Sequence, residues 1–390
     1  MNKKNIIKMG TAGLCMLMLT GCGGQNKKTY DQAVTDLEQG SYDYALEGYK
    51  SSITAGYKSA ESYRGAGIAS LHLGNYQDAI DYLTSGLNDE KAGKTLKKDM
   101  LAYRATAELK SELFDAAMAD CQTIAEDYAM DADTYYLTGC VALAMDSYDE
   151  ASSNFTDAYD ADTSYEMAIE IYEAYLEKDM EADGTRYLET ALKTEAKTAD
   201  DYCDRGKAYY YMQDYSNAKK ELTEAVNKKS TEGILLLGMV YKAQGDTANA
   251  RAMYQQYIET EGSSPAKGYN GLALCDIDDG NYDNALADIT NGLADASTEE
   301  MQDLLYNEVV VYEKKLDFAT ALSKIQEYLK MFPDDENAAK ELTFLQSRNG
   351  ELSNDTASDT TENTDAEAAS DAGDTTDTSD GSDESGEEEY

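Results

Sequence analysis

The chain has 390 residues and a formal charge of −43, with two prolines, no tryptophan and 32 tyrosines. Low proline with abundant Ala, Leu, Glu and Lys favours helix, and few Val and Ile argue against a large sheet. A chain this acidic excludes nucleic acid as a partner, because phosphate binding needs clustered cations. The charge is uneven. Fifteen of the 76 acids lie in residues 351–390, which hold no Lys or Arg, and three of the 33 cations lie in residues 1–21.

At the N-terminus, Lys3, Lys4 and Lys8 form a cationic head, and an uncharged, mostly apolar run follows from Met9 to Leu19. That order predicts a secretory signal over residues 1–21, too short to persist as a membrane span. Leu19-Thr20-Gly21-Cys22 resembles the lipobox of bacterial lipoproteins. The resemblance implies cleavage before Cys22, a lipid on its thiol, and residues 22–28 as a short lipidated tether. Two or more acyl chains anchor stably where one does not. The expected location is the cell envelope, outside the cytoplasm, with inner versus outer membrane left open.

Residues 29–348 repeat one pattern. "GNYQDAIDYL" from Gly74 returns as "GNYDNALADI" from Gly280. An aromatic followed three residues later by Ala recurs as Tyr42/Ala45, Tyr76/Ala79, Phe114/Ala117, Tyr148/Ala151, Tyr215/Ala218, Tyr282/Ala285 and Phe318/Ala321. Thr247/Ala250 keeps the spacing, and Gly184 stands where a ninth marker falls. Successive markers lie 32 to 38 residues apart. With the marker numbered 20, position 8 is also small: Ala33, Gly67, Ala105, Gly139, Gly206, Gly238 and Ala273.

A period near 34 with small residues at 8 and 20 resembles the tetratricopeptide repeat, a helix–turn–helix unit. The resemblance implies an all-α fold, a right-handed α-solenoid of about nine helical hairpins in one continuous core. Helices A and B of a unit are expected to cross at positions 8 and 20, with aromatics at 4, 17 and 24 in the outer layers. Gly near position 15 should end helix A. The fifth unit departs, with Tyr172 at position 8 and Gly184 at position 20, which predicts altered geometry there. After Pro333, "DDENAAKELTFLQ" reads as a capping helix with Ala339, Leu342 and Leu345 inward. Residues 349–390 lack large apolar residues and read as a disordered acidic tail, serving to solubilise or to bind a cation or partner.

Candidate chemistry is sparse. The one histidine, His72, falls at position 13 with no partner implied by spacing. No Cys-x-x-Cys pair occurs; Cys121, Cys140, Cys203 and Cys275 read as buried thiols, with a Cys121–Cys140 disulfide as the alternative. Asp179, Glu181 and Asp183 before Gly184 partly match a calcium loop, but Thr190 stands where its bidentate Glu belongs. No enzyme activity, metal or cofactor is expected.

By family resemblance, helix A positions 2, 5, 9, 12 and 13 line a concave wall. Position 5 supplies Tyr30, Arg64, Ala102, Tyr136, Ile169, Cys203, Leu235, Asn270 and Tyr306, and Tyr210 and Tyr211 add to it. Aromatics with scattered Arg64, Lys110, Lys207 and Lys314 suit a peptide or helix of another protein; packing alone is the competing reading for each. The expected function is a lipid-anchored protein–protein scaffold, by analogy an organiser of envelope complexes. A carbohydrate- or solute-binding lipoprotein using stacked tyrosines is the alternative, and a hydrolase the third reading.

Overall fold

The structure, a computed structural model, describes residues 22–361 other than 295 and 334. The expected signal at 1–21 and the tail beyond 361 lie outside the described residues. Nine antiparallel hairpins follow one another. They are α1 (Cys22–Glu38) with α2 (Tyr42–Thr54), α3 (Ser59–His72) with α4 (Tyr76–Leu87), and α5 (Lys94–Lys110) with α6 (Phe114–Asp127). Next come α7 (Ala132–Ala144) with α8 (Tyr148–Ala161), α9 (Tyr165–Leu176) with α10 (Glu181–Ala191), and α11 (Ala199–Tyr211) with α12 (Tyr215–Asn227). Then follow α13 (Thr231–Ala243) with α14 (Thr247–Glu259), α15 (Pro265–Asp278) with α16 (Tyr282–Gly292), and α17 (Thr298–Lys314) with α18 (Phe318–Met331). A last helix, α19 (Glu336–Thr361), packs on α18. No strand occurs among the described residues. The fold is an all-α solenoid.

Each hairpin turns in the same way. Position 15 takes a left-handed backbone in all nine units: Gly40, Gly74, Glu112, Asp146, Asp179, Gln213, Gly245, Gly280 and Leu316 have φ between 56° and 75°. The amide of the next residue donates back across the helix end, as in Ser41 N to Asp36 O at 2.7 Å and Leu113 N to Glu108 O at 2.8 Å. This is the Schellman closure, which satisfies carbonyls that the helix end leaves open. Glycine, expected near this position, holds it in only four units. Elsewhere a side chain accepts the left-handed strain because the next helix must start at once. The "DMEADG" stretch is the fifth such turn running into α10, and no group of three His, Cys, Asp or Glu among the described residues could hold a metal.

Eight marker alanines, from Ala45 to Ala321, are wholly buried at 0 % exposure, which places the A–B crossing where the repeat predicts it. Position 24 differs from expectation. Tyr49, Leu83, Cys121, Phe155, Leu188, Leu222, Tyr254, Ile289 and Ile325 are at most 3 % exposed, so this position is the spine of the core and not an outer layer. The glycine at position 8 is its seat. A Cβ on Gly67, Gly139, Gly206 or Gly238 would stand 2.4–2.7 Å from the residue at position 24 of the same unit. Where that residue is tyrosine, the next unit gives way as well: a Cβ on Gly65 or Gly271 would strike the ring of Tyr49 or Tyr254. The fifth unit departs from the arrangement. Tyr172 takes position 8, and a Cβ on Gly184 would lie 2.9 Å from its Cα, so position 20 goes from Ala to Gly to admit it and the hairpin still closes.

The cap also differs in detail. Ala338 and Leu345 are fully buried and Leu342 partly so, whereas Ala339, expected inward, is exposed. The buried stripe runs 338, 342, 345, the i, i+4, i+7 spacing of one helix face. α19 continues through residues 349–361, read from composition as tail, and the residues read as a tether form the first turns of α1. Cys121, Cys140, Cys203 and Cys275 are free thiols, so the Cys121–Cys140 disulfide does not form.

Candidate partner-binding groove

Every odd-numbered helix touches the next odd-numbered helix, from α1 with α3 to α15 with α17, while no even-numbered helix packs comparably on the next even one. Helices crowded on one side and spread on the other curve a stack, so the odd helices, helix A of each unit, form the inner wall.

Of the sequence-predicted wall residues, Ile169 and Cys203 are buried in the core, whereas Tyr30, Arg64, Tyr136, Tyr210, Tyr211 and Tyr306 are half-buried and engaged with neighbouring side chains. Tyr30 packs edge-on against Tyr49 and Tyr57, both at 5.9 Å between ring centres, under the ammonium of Lys58. Arg64 pairs with Asp99 of the next unit and lies over the Tyr103 ring. Tyr136 packs on Phe155, and its hydroxyl donates to the Glu170 carbonyl at 3.4 Å. Tyr211 donates to Glu173, which Lys207 also meets at 3.0 Å. Its ring leans on Tyr172 and on Tyr210, and Tyr210 leans on Tyr215. Tyr306 packs edge-on against Tyr328. Arg64, Tyr136, Lys207 and Tyr211 thereby link their unit to its neighbour, while Tyr210 and Tyr306 meet rings of their own hairpin. His72 lies flat on Tyr42, ring centres 4.3 Å apart. The side chain of Cys22 is not among those described.

The wall is acidic along its middle. Position 2 of α3, α5, α7, α9, α11 and α13 carries Glu61, Asp99, Asp133, Glu166, Asp200 and Glu232 in unbroken succession. Five of the six lie in the first turn of their helix, where acids suit the helix dipole; Asp99, one turn further into α5, is the exception. Their company raises neighbouring pKa values. Burial first, then Glu232, Glu166 and Asp200, pushes Asp204 up to about 6. Burial and then Glu166 and Asp133 raise Glu170.

Cavities open on the wall where the last three units meet. One of about 340 Å³ is lined by Leu235, Met239, Tyr254, Leu274, Asn270 and Asp303, among others. Another of about 430 Å³ shares Asn270, Leu274 and Asp303 and reaches Tyr306 and Asn307. Arg64 lines a further cavity of about 560 Å³ beside α5. A larger one, about 720 Å³, lies between the turns after α3 and α5 and the residues around the start of α19 at Pro333, Asp335 and Ala339. Of the predicted wall residues, Arg64, Lys110, Leu235, Asn270 and Tyr306 thus line open space. Reading positions 2 and 9 beside position 5 would have picked out Asp303, Met239 and Leu274 as well.

Two family models described as tetratricopeptide repeat match the chain, over residues 30–93 and 232–264. Those stretches are tetratricopeptide repeats. The same turn, marker and core positions recur in the hairpins between and beyond them, so the solenoid is tetratricopeptide-like in its repeat. Solved structures similar to the chain include a tetratricopeptide repeat protein from Parabacteroides merdae, 15% identical, covering 65% of this chain and 99% of that one with a TM-score of 0.41. MamA from Desulfovibrio magneticus is 19% identical, covering 44% and 96% with a TM-score of 0.36. The Cut9–Hcn1 hetero-tetramer of the APC/C is 16% identical, covering 85% and 78% with a TM-score of 0.38. No curated protein matches the chain.

Proposed function

We propose that this protein is a lipid-anchored, extracytoplasmic tetratricopeptide scaffold whose concave wall binds other proteins. One observation carries the binding role: nine hairpins in constant register present a continuous inner face of odd-numbered helices, with cavities where three of them meet. Its tyrosines and cations already brace one another, which presents a preorganised surface to a partner and reduces the ordering cost of binding. That bracing favours a protein partner over a sugar, since the rings of Tyr210 and Tyr211 meet neighbouring rings instead of standing free to stack. The anchor rests on Leu19-Thr20-Gly21-Cys22. No described helix is long and apolar enough to cross a membrane.

Photo-crosslinkers at Tyr136, Tyr210 and Tyr306 in the native envelope are expected to capture a protein partner that probes on α8 and α12 do not. For the anchor, Cys22→Ser should move the protein from the membrane pellet to the soluble fraction. Retention of the variant in a salt-washed pellet would remove the lipid from the proposal.

A further inference from the structure

Two adjacent cavities that share Asn270, Leu274 and Asp303, one between α13, α15 and α17 and the other running from α15 and α17 to Tyr328 and Asp335, have a chemistry of their own. Leu235, Met239 and Leu274 give an apolar wall, and Asp303 stands where the cavities meet. Among the described residues the Asp303 carboxylate, which is exposed to the groove, has no hydrogen bond and no ion pair; Lys267 lines the smaller cavity with it and offsets only part of the desolvation that raises its pKa. Glu300 beside it is already engaged, accepting from the Ser264 hydroxyl and from the Ser297 amide at 2.9 Å. Across the same space the Asn307 amide donates to the Asn270 carbonyl oxygen at 2.7 Å. That bond leaves each carboxamide with further donor or acceptor capacity toward the groove.

A carboxylate at the end of an apolar slot fits a long side chain with an aliphatic stem and a cationic head. Two carboxamides beside it fit the N–H and C=O of an extended backbone. Resting on the groove reading above, we propose that these cavities hold an extended segment of a partner protein in which an aliphatic residue precedes an arginine. The guanidinium pairs with Asp303, the aliphatic residue covers Leu235, Met239 and Leu274, and Asn270 and Asn307 take the backbone between them. Arginine suits the site because its planar fork meets a carboxylate through two parallel bonds. Charge complementarity also fixes the source. The chain's own residues 351–390 hold fifteen acids and no Lys or Arg, so they offer Asp303 no cation and the occupant comes from another protein.

The test titrates the full mature chain with acetyl-Leu-Arg-amide, followed by ligand-observed NMR, beside the matched citrulline and glutamate dipeptides. Saturable binding of the arginine dipeptide is expected, at least about tenfold tighter than the uncharged citrulline isostere and weakened by about the same factor in Asp303→Asn. Asp200→Asn, on the same wall but outside the cavities, should leave it unchanged. Equal binding of the citrulline dipeptide, no saturable binding, or an Asp303→Asn variant of unaltered affinity would each overturn the proposal. The citrulline comparison uses the unaltered chain and holds even if the variant misfolds. The crosslinking experiment keeps the two readings apart. Captured partners with no dipeptide preference leave the scaffold and remove this pocket, and dipeptide binding with no captured protein does the reverse.

Discussion

At the residue scale the array is a set of size and charge complements. A glycine at position 8 is required only where a large residue at position 24 lies on it, which makes Gly139 with Phe155 and Gly238 with Tyr254 single packing decisions written in two places. Charge follows the same logic at positions 7 and 23. Arg104 grips Asp120 through two bonds of 2.6 and 2.7 Å, Arg205 meets Glu221 at 3.2 Å, and Glu308 meets Lys324 at 3.0 Å with the signs exchanged. Glu108 is the unbalanced member. It is buried near Asp120, one of its oxygens has no partner, and Arg104 approaches it only to 3.8 Å. Burial, then Asp120, pushes it up to about 7, against the pull of Arg104. An acid raised in the folded state binds its proton more tightly there than when unfolded, so its contribution is present below about pH 4.5 and is lost as pH rises through 7. Glu108→Gln should abolish that loss, leaving the variant about 1–3 kcal/mol more stable than the wild type at pH 8 and close to it at pH 4.5. Urea midpoints at the two pH values measure this, and a wild type and variant that respond alike to pH would remove the buried-proton account.

At the scale of the hairpin, the turn geometry is fixed and the turn residue is not. Five units place a residue with a side chain in the left-handed region, and the last is Leu316, which is 72 % exposed and gains little from burial. Glycine enters that conformation without the Cβ clash, so Leu316→Gly should stabilise the α17–α18 hairpin by about 0.5–1 kcal/mol despite its greater freedom when unfolded. A thermal melt that is unchanged or lower would show that the Leu316 side chain contributes more than its exposure implies. The fifth unit makes the same point about packing. Its position 8 breaks the small-residue pattern, yet Gly184 on the facing helix restores the close approach, so the hairpin itself closes. The altered geometry expected there lies in the stacking: α9 meets α8 only slightly and α10 scarcely meets α11, where the other units pack more extensively on the next.

For the whole molecule, helices pack almost entirely on their neighbours in sequence and on the next odd-numbered helix. Stability in such a stack is a sum of local units and the interfaces between them. The largest cluster of buried side chains runs from Ala105 to Ala208, centred on α7 to α10, while the last units hold smaller clusters. Hydrogen exchange should therefore be slowest in α7–α10. Leu345→Ala, which removes a fully buried contact of α19, should cost about 2–4 kcal/mol locally. Faster exchange should then appear in α17–α19 with α7–α10 unchanged. Equal acceleration along the chain would show one cooperative block in place of a row of coupled units.

How much of this was legible beforehand follows from what repeats. The period, the buried markers, the hairpin count, the turn at position 15 and the existence of a cap are short-range demands, and each is written nine times or at a composition break. The chain could not state that a large residue at position 8 would be accommodated, because Gly184 makes room for Tyr172 only once the two helices pack. It could not show that Ala338 and not Ala339 faces inward, a rotation of one residue about a helix that only its neighbour sets. Nor could it show that the wall tyrosines would be occupied by their own hairpin or the next while Asp303 was left facing open space, since that depends on how tightly the helices converge. Periodic burial is a local property that sequence determines; which groups remain unpaired on a curved wall is decided when the units stack.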